Sequence, residues 1–146
     1  MKKIYLYSDG SSLGNPGPGG YGTILKYKDN TKIISGGKEN TTNNQMELLG
    51  VIEGLKALKE PCSVEVVSDS KYVTQAINEW LNNWIKNGFK TADKKPIKNL
   101  ELWQEYIEAS KIHKIKATWV KGHDGHKENE ECDKIAKQEA TKFQTS

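Results

Sequence analysis

The stretch Ile4-Tyr5-Leu6-Tyr7-Ser8-Asp9 decides how the rest of this chain is read. Apolar and aromatic side chains fall on both of its alternating faces, the pattern of a strand covered on both sides and so set inside a sheet. Its last residue is a carboxylate. Outward from it, residues 21–27 and 32–37 flank the turn pair Asp29-Asn30 and read as an antiparallel hairpin. Thr41-Thr42-Asn43-Asn44 offers N-caps ahead of Met46, Leu49, Ile52 and Leu55, which recur on one helical face, and Pro61 closes that helix. Val64, Val66 and Val67 make a fourth strand, which also runs into a carboxylate, at Ser68-Asp69. Ser70 or Asp69 caps a helix to about residue 85. A lysine-rich loop and a helix over 99–111 follow; residues 115–120 form the fifth strand, and the last helix starts near Asn129. The order βββαβαβα predicts an α/β fold, a five-stranded mixed sheet with helices on both faces.

That order has a directional consequence. If the first strand runs up, the hairpin makes the second run down and the third up, and the helical crossovers make the fourth and fifth run up as well. Asp9 and Asp69 then end two parallel strands. Glu47 lies in the opening turns of the helix that leaves the third strand, His123 follows the fifth, and Asp133 lies early in the last helix. All five fall on one edge of the sheet, the edge where open α/β sheets bind ligands.

Composition narrows the class. At 146 residues the chain is expected to be one domain, residues 1–146, with a short tail at 144–146. A mean hydropathy of -0.75 and the lack of an apolar run approaching ~18 residues exclude a helical membrane span. The apolar stretch after Lys2-Lys3 is too short for a signal-peptide core, so a cytoplasmic protein is expected. Cys62 and Cys132 allow either one disulfide or two free thiols, and free thiols fit a reducing compartment. Size and the absence of an interface signature favour a monomer without a protein partner. The net charge is +3, and every basic residue is lysine. Five lysines against Asp93 give residues 80–100 a charge of +4, and the other 17 lysines and 18 acids leave −1. The excess is therefore local, which points to an anionic partner at one place.

Four carboxylates converging on one edge repel one another, and either take up protons or hold a cation. Oxygen-only ligation suits Mg²⁺ or Mn²⁺ rather than zinc. Two such ions about 3.5–4 Å apart activate a water and stabilise the leaving oxygen of a phosphodiester. Taken singly, each acid is equally well explained as a cap for a turn or helix.

Several motifs resemble the type 1 ribonuclease H family, in its bacterial form. They are Asp9-Gly10-Ser11 with residues 14–22, Thr41-Thr42-Asn43-Asn44-Gln45-Met46-Glu47-Leu48, Ser68-Asp69-Ser70 with Tyr72-Val73, Trp119-Val120-Lys121-Gly122-His123, Gly125-His126, and Glu128-Asn129-Glu130 through Cys132-Asp133. Their order and spacing span nearly the whole chain. The resemblance implies hydrolysis of the RNA strand of RNA–DNA hybrids with Mg²⁺, two ions expected and Mn²⁺ able to substitute. By it, Asp9, Glu47, Asp69 and Asp133 bind metal. Asp9 bridges both ions, Asp69 orients the water, Glu47 lies near the RNA 2′-hydroxyl and His123 assists proton transfer or product release.

The same resemblance places Ser12, Gly14, Asn15, Asn43 and Asn44 in the hybrid's minor groove, where 2′-hydroxyls distinguish RNA from DNA. It assigns Trp80, Trp84 and Thr91 to a DNA-backbone channel, Thr42 and Asn99 to a DNA-phosphate pocket, and Lys86, Lys90, Lys94, Lys95 and Lys98 to a basic protrusion over about 80–100. On pattern alone, Trp80 and Trp84 fit a packed helix face as well as an exposed one. The glycine run is not a phosphate-binding P-loop, since no Gly-Lys-Ser/Thr follows it. His123, His126 and Cys132 lack the fourth ligand a zinc site needs. Three positions depart from the family pattern. Asn40 and Gln45 stand where arginine is common, and Lys71 where glutamine is, which puts phosphate capture near Thr42 and a polar hybrid contact in doubt. A same-fold DNA nuclease and a catalytically silent nucleic-acid-binding module are the rival readings.

Overall fold

The opening strand, β1 (Lys2–Ser12), pairs antiparallel with β2 (Gly17–Tyr27) and parallel with β4 (Cys62–Ser68). β3 (Asn30–Thr41) adds antiparallel to β2, and β5 (Lys114–Trp119) parallel to β4. The sheet order β3-β2-β1-β4-β5 puts β1 at the centre and matches the deduced strand directions. These relations come from the computed structural model, which describes residues 1–91, 93–121 and 127–144.

The helices are α1 (Asn43–Lys56), α2 (Lys71–Gln75), α3 (Leu81–Lys86), α4 (Leu100–Ser110) and α5 (Lys127–Lys142), with a π-helical turn, Ala76–Trp80, joining α2 to α3. Three expectations need correction. The β4–β5 crossover holds two separate helical units, α2–α3 and α4, where the string βββαβαβα has one. The hairpin turn is Lys28-Asp29, because Tyr27 pairs with Asn30, and Lys28 takes the left-handed φ of 53°. β1 is covered on both sides only in part. Its inward face (Ile4, Leu6, Ser8) is fully packed, whereas Tyr5 on the other face is 40% exposed.

One face carries the main core. Ile4, Leu6, Val64 and Val66 meet Leu48, Val51, Ile52 and Leu55 of α1 and Trp103 and Tyr106 of α4. Burying such side chains is worth about 1.5–3 kcal/mol each before entropy costs. α5 crosses the opposite face over β1, β2 and β3. Its close approach depends on Gly22, where a Cβ would stand 2.7 Å from the Cys132 carbonyl oxygen and 2.8 Å from the Ile135 Cβ. Cys62 and Cys132 are both buried free thiols, so the disulfide alternative falls.

Two polar devices tie the helices down. Thr41 Oγ1 donates to Gln45 Oε1 (2.8 Å), Gln45 Nε2 donates to Asn99 Oδ1 (3.2 Å), and the Tyr72 hydroxyl accepts from Asn99 Nδ2 (3.0 Å) and Trp103 Nε1 (2.9 Å). On the π turn, Asn78 Nδ2 donates to the Ala117 carbonyl (2.8 Å), and Asn78 Oδ1 accepts from the Ala117 N–H (3.1 Å). Among the described residues no helix is long and apolar enough to cross a membrane.

The tight α5–β2 contact makes a quantitative prediction. Gly22→Ala is expected to destabilise the fold by about 1–3 kcal/mol, because backbone and a branched side chain must both move. Urea denaturation checks this as a lower midpoint at unchanged slope.

Candidate active site

β1 and β4 pair with a constant offset of sixty residues, from Lys2↔Cys62 to Tyr7↔Val67. Extended two residues, that register sets Asp9 of β1 level with Asp69, which directly follows the parallel strand β4. Glu47 arrives from α1, whose N-cap Thr42 accepts the Gln45 N–H through its hydroxyl (3.2 Å). Ser8 Oγ donates to the Glu47 carbonyl (3.3 Å), which fixes this turn of α1 against β1. Gly10 allows the approach: a Cβ there would collide with the Glu47 backbone nitrogen and lie 2.6 Å from the Met46 carbonyl carbon. As a result, one carboxylate oxygen from each of Asp9, Glu47 and Asp69 lies within 4.8 Å of the others.

Asp9 and Glu47 are buried, at 7% and 8% exposed, and Asp69 is half-buried. Burial is the main force on both buried acids. It pushes Asp9 up to about 7, reinforced by the charges of Asp69 and Asp133 and opposed by a hydrogen bond from Glu47. Glu47 is pushed well above the carboxylate range by burial and then by the charge of Asp9. Without a cation, then, the pair holds on to a proton above the ordinary carboxylate range. Glu47 Oε2 is buried and has no hydrogen-bond partner among the described residues. A buried carboxyl oxygen without a donor, facing two further acids, is the arrangement a hard divalent cation completes.

Asp133 stands outside the three-oxygen group. It lies near enough to raise the pKa of Asp9, but its Oδ2 is paired with Lys137 of the next helical turn at 2.9 Å. His123, and with it His126, lies outside the described residues. Cys132, the third residue of the zinc reading, is fully buried, and burial holds its thiol above the ordinary range, so it is no thiolate ligand.

The predicted substrate contacts fall into two groups. Ser12, Gly14, Asn15, Asn43 and Asn44 form a surface beside the carboxylates. The Ser12 N–H donates to Asn43 Oδ1 (2.6 Å), Ser12 Oγ donates to the Gly14 carbonyl (2.5 Å), and Gly14, Asn15, Asn43 and Asn44 are exposed. Thr42 and Asn99 lie behind it. The Asn99 amide is already engaged by Gln45 and Tyr72, which leaves it one spare N–H and one spare lone pair. Gln45, in an arginine position, is therefore built into the scaffold.

The second group is the protrusion. Lys86, Lys90, Thr91, Lys94, Lys95 and Lys98 are all exposed. Their loop is folded: Thr91 N–H donates to the Lys95 carbonyl (2.7 Å), Ile97 N–H to the Phe89 carbonyl (3.1 Å), and Ile97 is buried beneath. The two tryptophans divide the alternatives between them. Trp84 packs edge-on against buried Trp103 (centroids 5.5 Å apart), while Trp80 is 37% exposed.

Three contributors carry no functional signal in the sequence read residue by residue. Gly10 matters through a backbone approach. The Trp119 indole N–H donates to the Asp69 main-chain carbonyl (3.0 Å), and Asn129 Nδ2 donates to the Val67 carbonyl (3.1 Å) two residues before Asp69. All three lie within the motifs that carry the family resemblance, which marks them without showing what they touch.

The family model described as RNase H matches residues 1–141. The chain is 63% identical to ribonuclease H of Sulfurovum sp. (strain NBC37-1) over 145 residues, covering 99% of this chain and 95% of the relative. It is 58% identical to ribonuclease H of Campylobacter curvus (strain 525.92) over 144 residues, covering 99% and 97%. Among solved structures, LC9-RNase H1, described as a type 1 RNase H with the type 2 active-site motif, superposes with a TM-score of 0.87 at 31% identity, covering all of this chain and 75% of that one.

The raised pKa of Asp9 makes metal-free stability depend on pH. The folded state holds this proton up to about pH 7, whereas the unfolded chain releases it near pH 4. The folded state thus binds more protons across that window, and stability falls as pH rises through it. Asp9→Asn removes the effect. The variant is expected to match the parent below pH 4 and to exceed it by on the order of 2 kcal/mol at pH 8, a value discounted for sharing the proton with Glu47. Urea titrations in chelator across that range check it.

Proposed function

The chain belongs to the ribonuclease H family and hydrolyses the RNA strand of RNA–DNA hybrids with a divalent metal; we propose that it does so with two Mg²⁺ ions, leaving 5′-phosphate and 3′-hydroxyl ends. The observation that carries the metal reading is the convergence of Asp9, Glu47 and Asp69 around the orphaned Glu47 Oε2. Asp9, Glu47, Asp69 and Asp133 are the residues that would hold the ions. Held there, such ions would supply a lowered pKa for a water and stabilisation of charge on the phosphoryl and leaving oxygens.

The chain's own groups do the rest. Asp69, more open than its neighbours, orients the attacking water. Attack of water at phosphorus breaks the P–O3′ bond, so the upstream fragment leaves with a 3′-hydroxyl and the phosphate stays on the 5′ oxygen of the downstream fragment. Glu47, at the buried end of the cluster and four residues beyond exposed Asn43, lies towards the RNA 2′-hydroxyl. His123 moves a proton or eases product release. Asp133 enters with its charge moderated by Lys137, which supports a role as the more exchangeable ligand.

Ser12, Gly14, Asn15, Asn43 and Asn44 read the minor groove beside the site. Trp80, Trp84, Thr91, Thr42 and Asn99 bind the DNA strand, and the lysines of the protrusion add backbone attraction. With Asn40 in place of arginine and the Asn99 amide engaged, the phosphate pocket at Thr42 is the weakest part of that contact set. A monomeric, cytoplasmic enzyme belongs to the same proposal. Two buried free thiols support a reducing compartment.

A labelled hybrid incubated with and without Mg²⁺ tests substrate, metal and chemistry together. Cleavage is expected only with metal and only in the RNA strand, and cleavage of duplex DNA at a comparable rate would instead favour the DNA-nuclease reading. Asp9→Asn is expected to abolish cleavage while hybrid binding, followed by gel shift, survives. The Lys94→Ala, Lys95→Ala double variant is expected to bind hybrid more weakly, with a log–log salt slope shallower by about 1 to 2. Fluorescence anisotropy over a salt series measures that slope.

A further inference from the structure

Lys71 and Trp119 form a stacked pair beside Asp69 that the family pattern does not account for. Lys71 opens α2, directly after its N-cap Ser70, and Trp119 closes β5. The Lys71 ammonium stands 4.9 Å from the centre of the Trp119 ring. The same indole donates its N–H to the Asp69 main-chain carbonyl at 3.0 Å. Trp119 is nevertheless 44% exposed, and Lys71 is exposed too. A little over half of its surface is packed away, as for many strand-end aromatics. What distinguishes it is where its single polar atom points.

The end of β4 needs such support. Ladder pairing of β1 with β4 stops at Tyr7↔Val67, and that of β4 with β5 at Ser68↔Trp119. Asp69 thus lies one residue past the sheet, yet its carboxylate must meet those of Asp9 and Glu47. We infer that Trp119 is a positioning residue for Asp69: its indole N–H holds the Asp69 carbonyl, and the Lys71 ammonium, stacked on the ring, holds the indole in that orientation.

The chemistry of each part is separable. The hydrogen bond fixes the peptide that carries Asp69 and thereby narrows the directions its carboxylate can take. The cation–π contact is worth little at an exposed site, but it selects one ring orientation out of several. Glutamine at position 71 offers no cation for the ring, so the lysine here adds a restraint. Arginine stacks on an indole at least as well as lysine does.

The inference rests on the metal reading of the carboxylate cluster, and metal binding is its readout. Isothermal titration calorimetry with Mn²⁺ alone is run on the full chain, on Trp119→Phe, and on Lys71→Gln and Lys71→Arg. Trp119→Phe keeps a ring and the stacking but has no N–H. It is expected to bind Mn²⁺ about 3- to 10-fold more weakly, the worth of one lost hydrogen bond. Lys71→Gln is expected to lose about 2- to 3-fold, and Lys71→Arg to restore the parental value.

Urea midpoints measured in chelator on the same samples separate positioning from packing. Positioning predicts a change in metal affinity larger than any change in metal-free stability. The proposal is overturned if Trp119→Phe binds Mn²⁺ as the parent does, or if its affinity falls only in step with its stability. It is equally overturned if Lys71→Gln and Lys71→Arg bind alike; these exposed-site variants keep the test open should Trp119→Phe fold poorly. Failure of the parent chain to bind Mn²⁺ would instead refute the metal reading itself.

Discussion

Asp9 and Glu47 face each other because residue 10 has no side chain. A methyl group there would meet the backbone of Met46 and Glu47, and α1 would have to stand off from β1. With glycine, two carboxylates are brought into a buried space where neither is adequately solvated, and the charge of Asp69 is added to theirs. This arrangement works against folding. Desolvation and like-charge repulsion raise the energy of the ionised pair, and the rest of the molecule must hold the elements together regardless.

The means of holding them are visible around the cluster. Ser8 ties β1 to the Glu47 turn, Thr42 caps α1, and Asn129 and Trp119 grip the end of β4 at Val67 and Asp69. Farther out, the chain of hydrogen bonds from Thr41 through Gln45, Asn99 and Tyr72 to Trp103 links β3, α1, α2 and α4 on one side of the site. A preorganised anionic site does not have to reorganise when a cation arrives, and the electrostatic cost of keeping it apart is returned on binding. The local +4 of the protrusion belongs to a different task. Its lysines are exposed and carried on a folded loop anchored by Ile97, where point charges can follow a phosphate backbone.

Much of this was legible in the sequence because it depends on residue type and spacing. Alternation of apolar residues located the strands, the order of elements set their directions, and the directions brought Asp9, Glu47 and Asp69 to one edge. What stayed hidden depends on distances between segments remote in sequence. Gly10 looks like any strand-end glycine until α1 is laid beside it. Trp119 reads as the end of an apolar strand until its indole nitrogen is seen to reach Asp69. Gln45 reads as a weakened phosphate contact, but its amide bridges Thr41 and Asn99. The hairpin turn was misplaced by one residue because Asp and Asn outrank Lys as turn formers, and register with β2 decided otherwise. Nor could pattern decide between Trp80 and Trp84, since the helix that carries them changes its period at the π turn.

The π turn also bears on how this protein meets other copies of itself. β5 is the last strand of the sheet, and an outer strand ordinarily offers its peptide groups to any extended chain that passes. At Ala117 both groups are taken by Asn78, whose side-chain amide imitates the backbone of a neighbouring strand. Lys114 and Lys116 add charge along the same margin. The extra residue in the helix thus does a second service: it presents one amide to the sheet's open side, and in doing so blocks the template on which intermolecular β-stacking would begin.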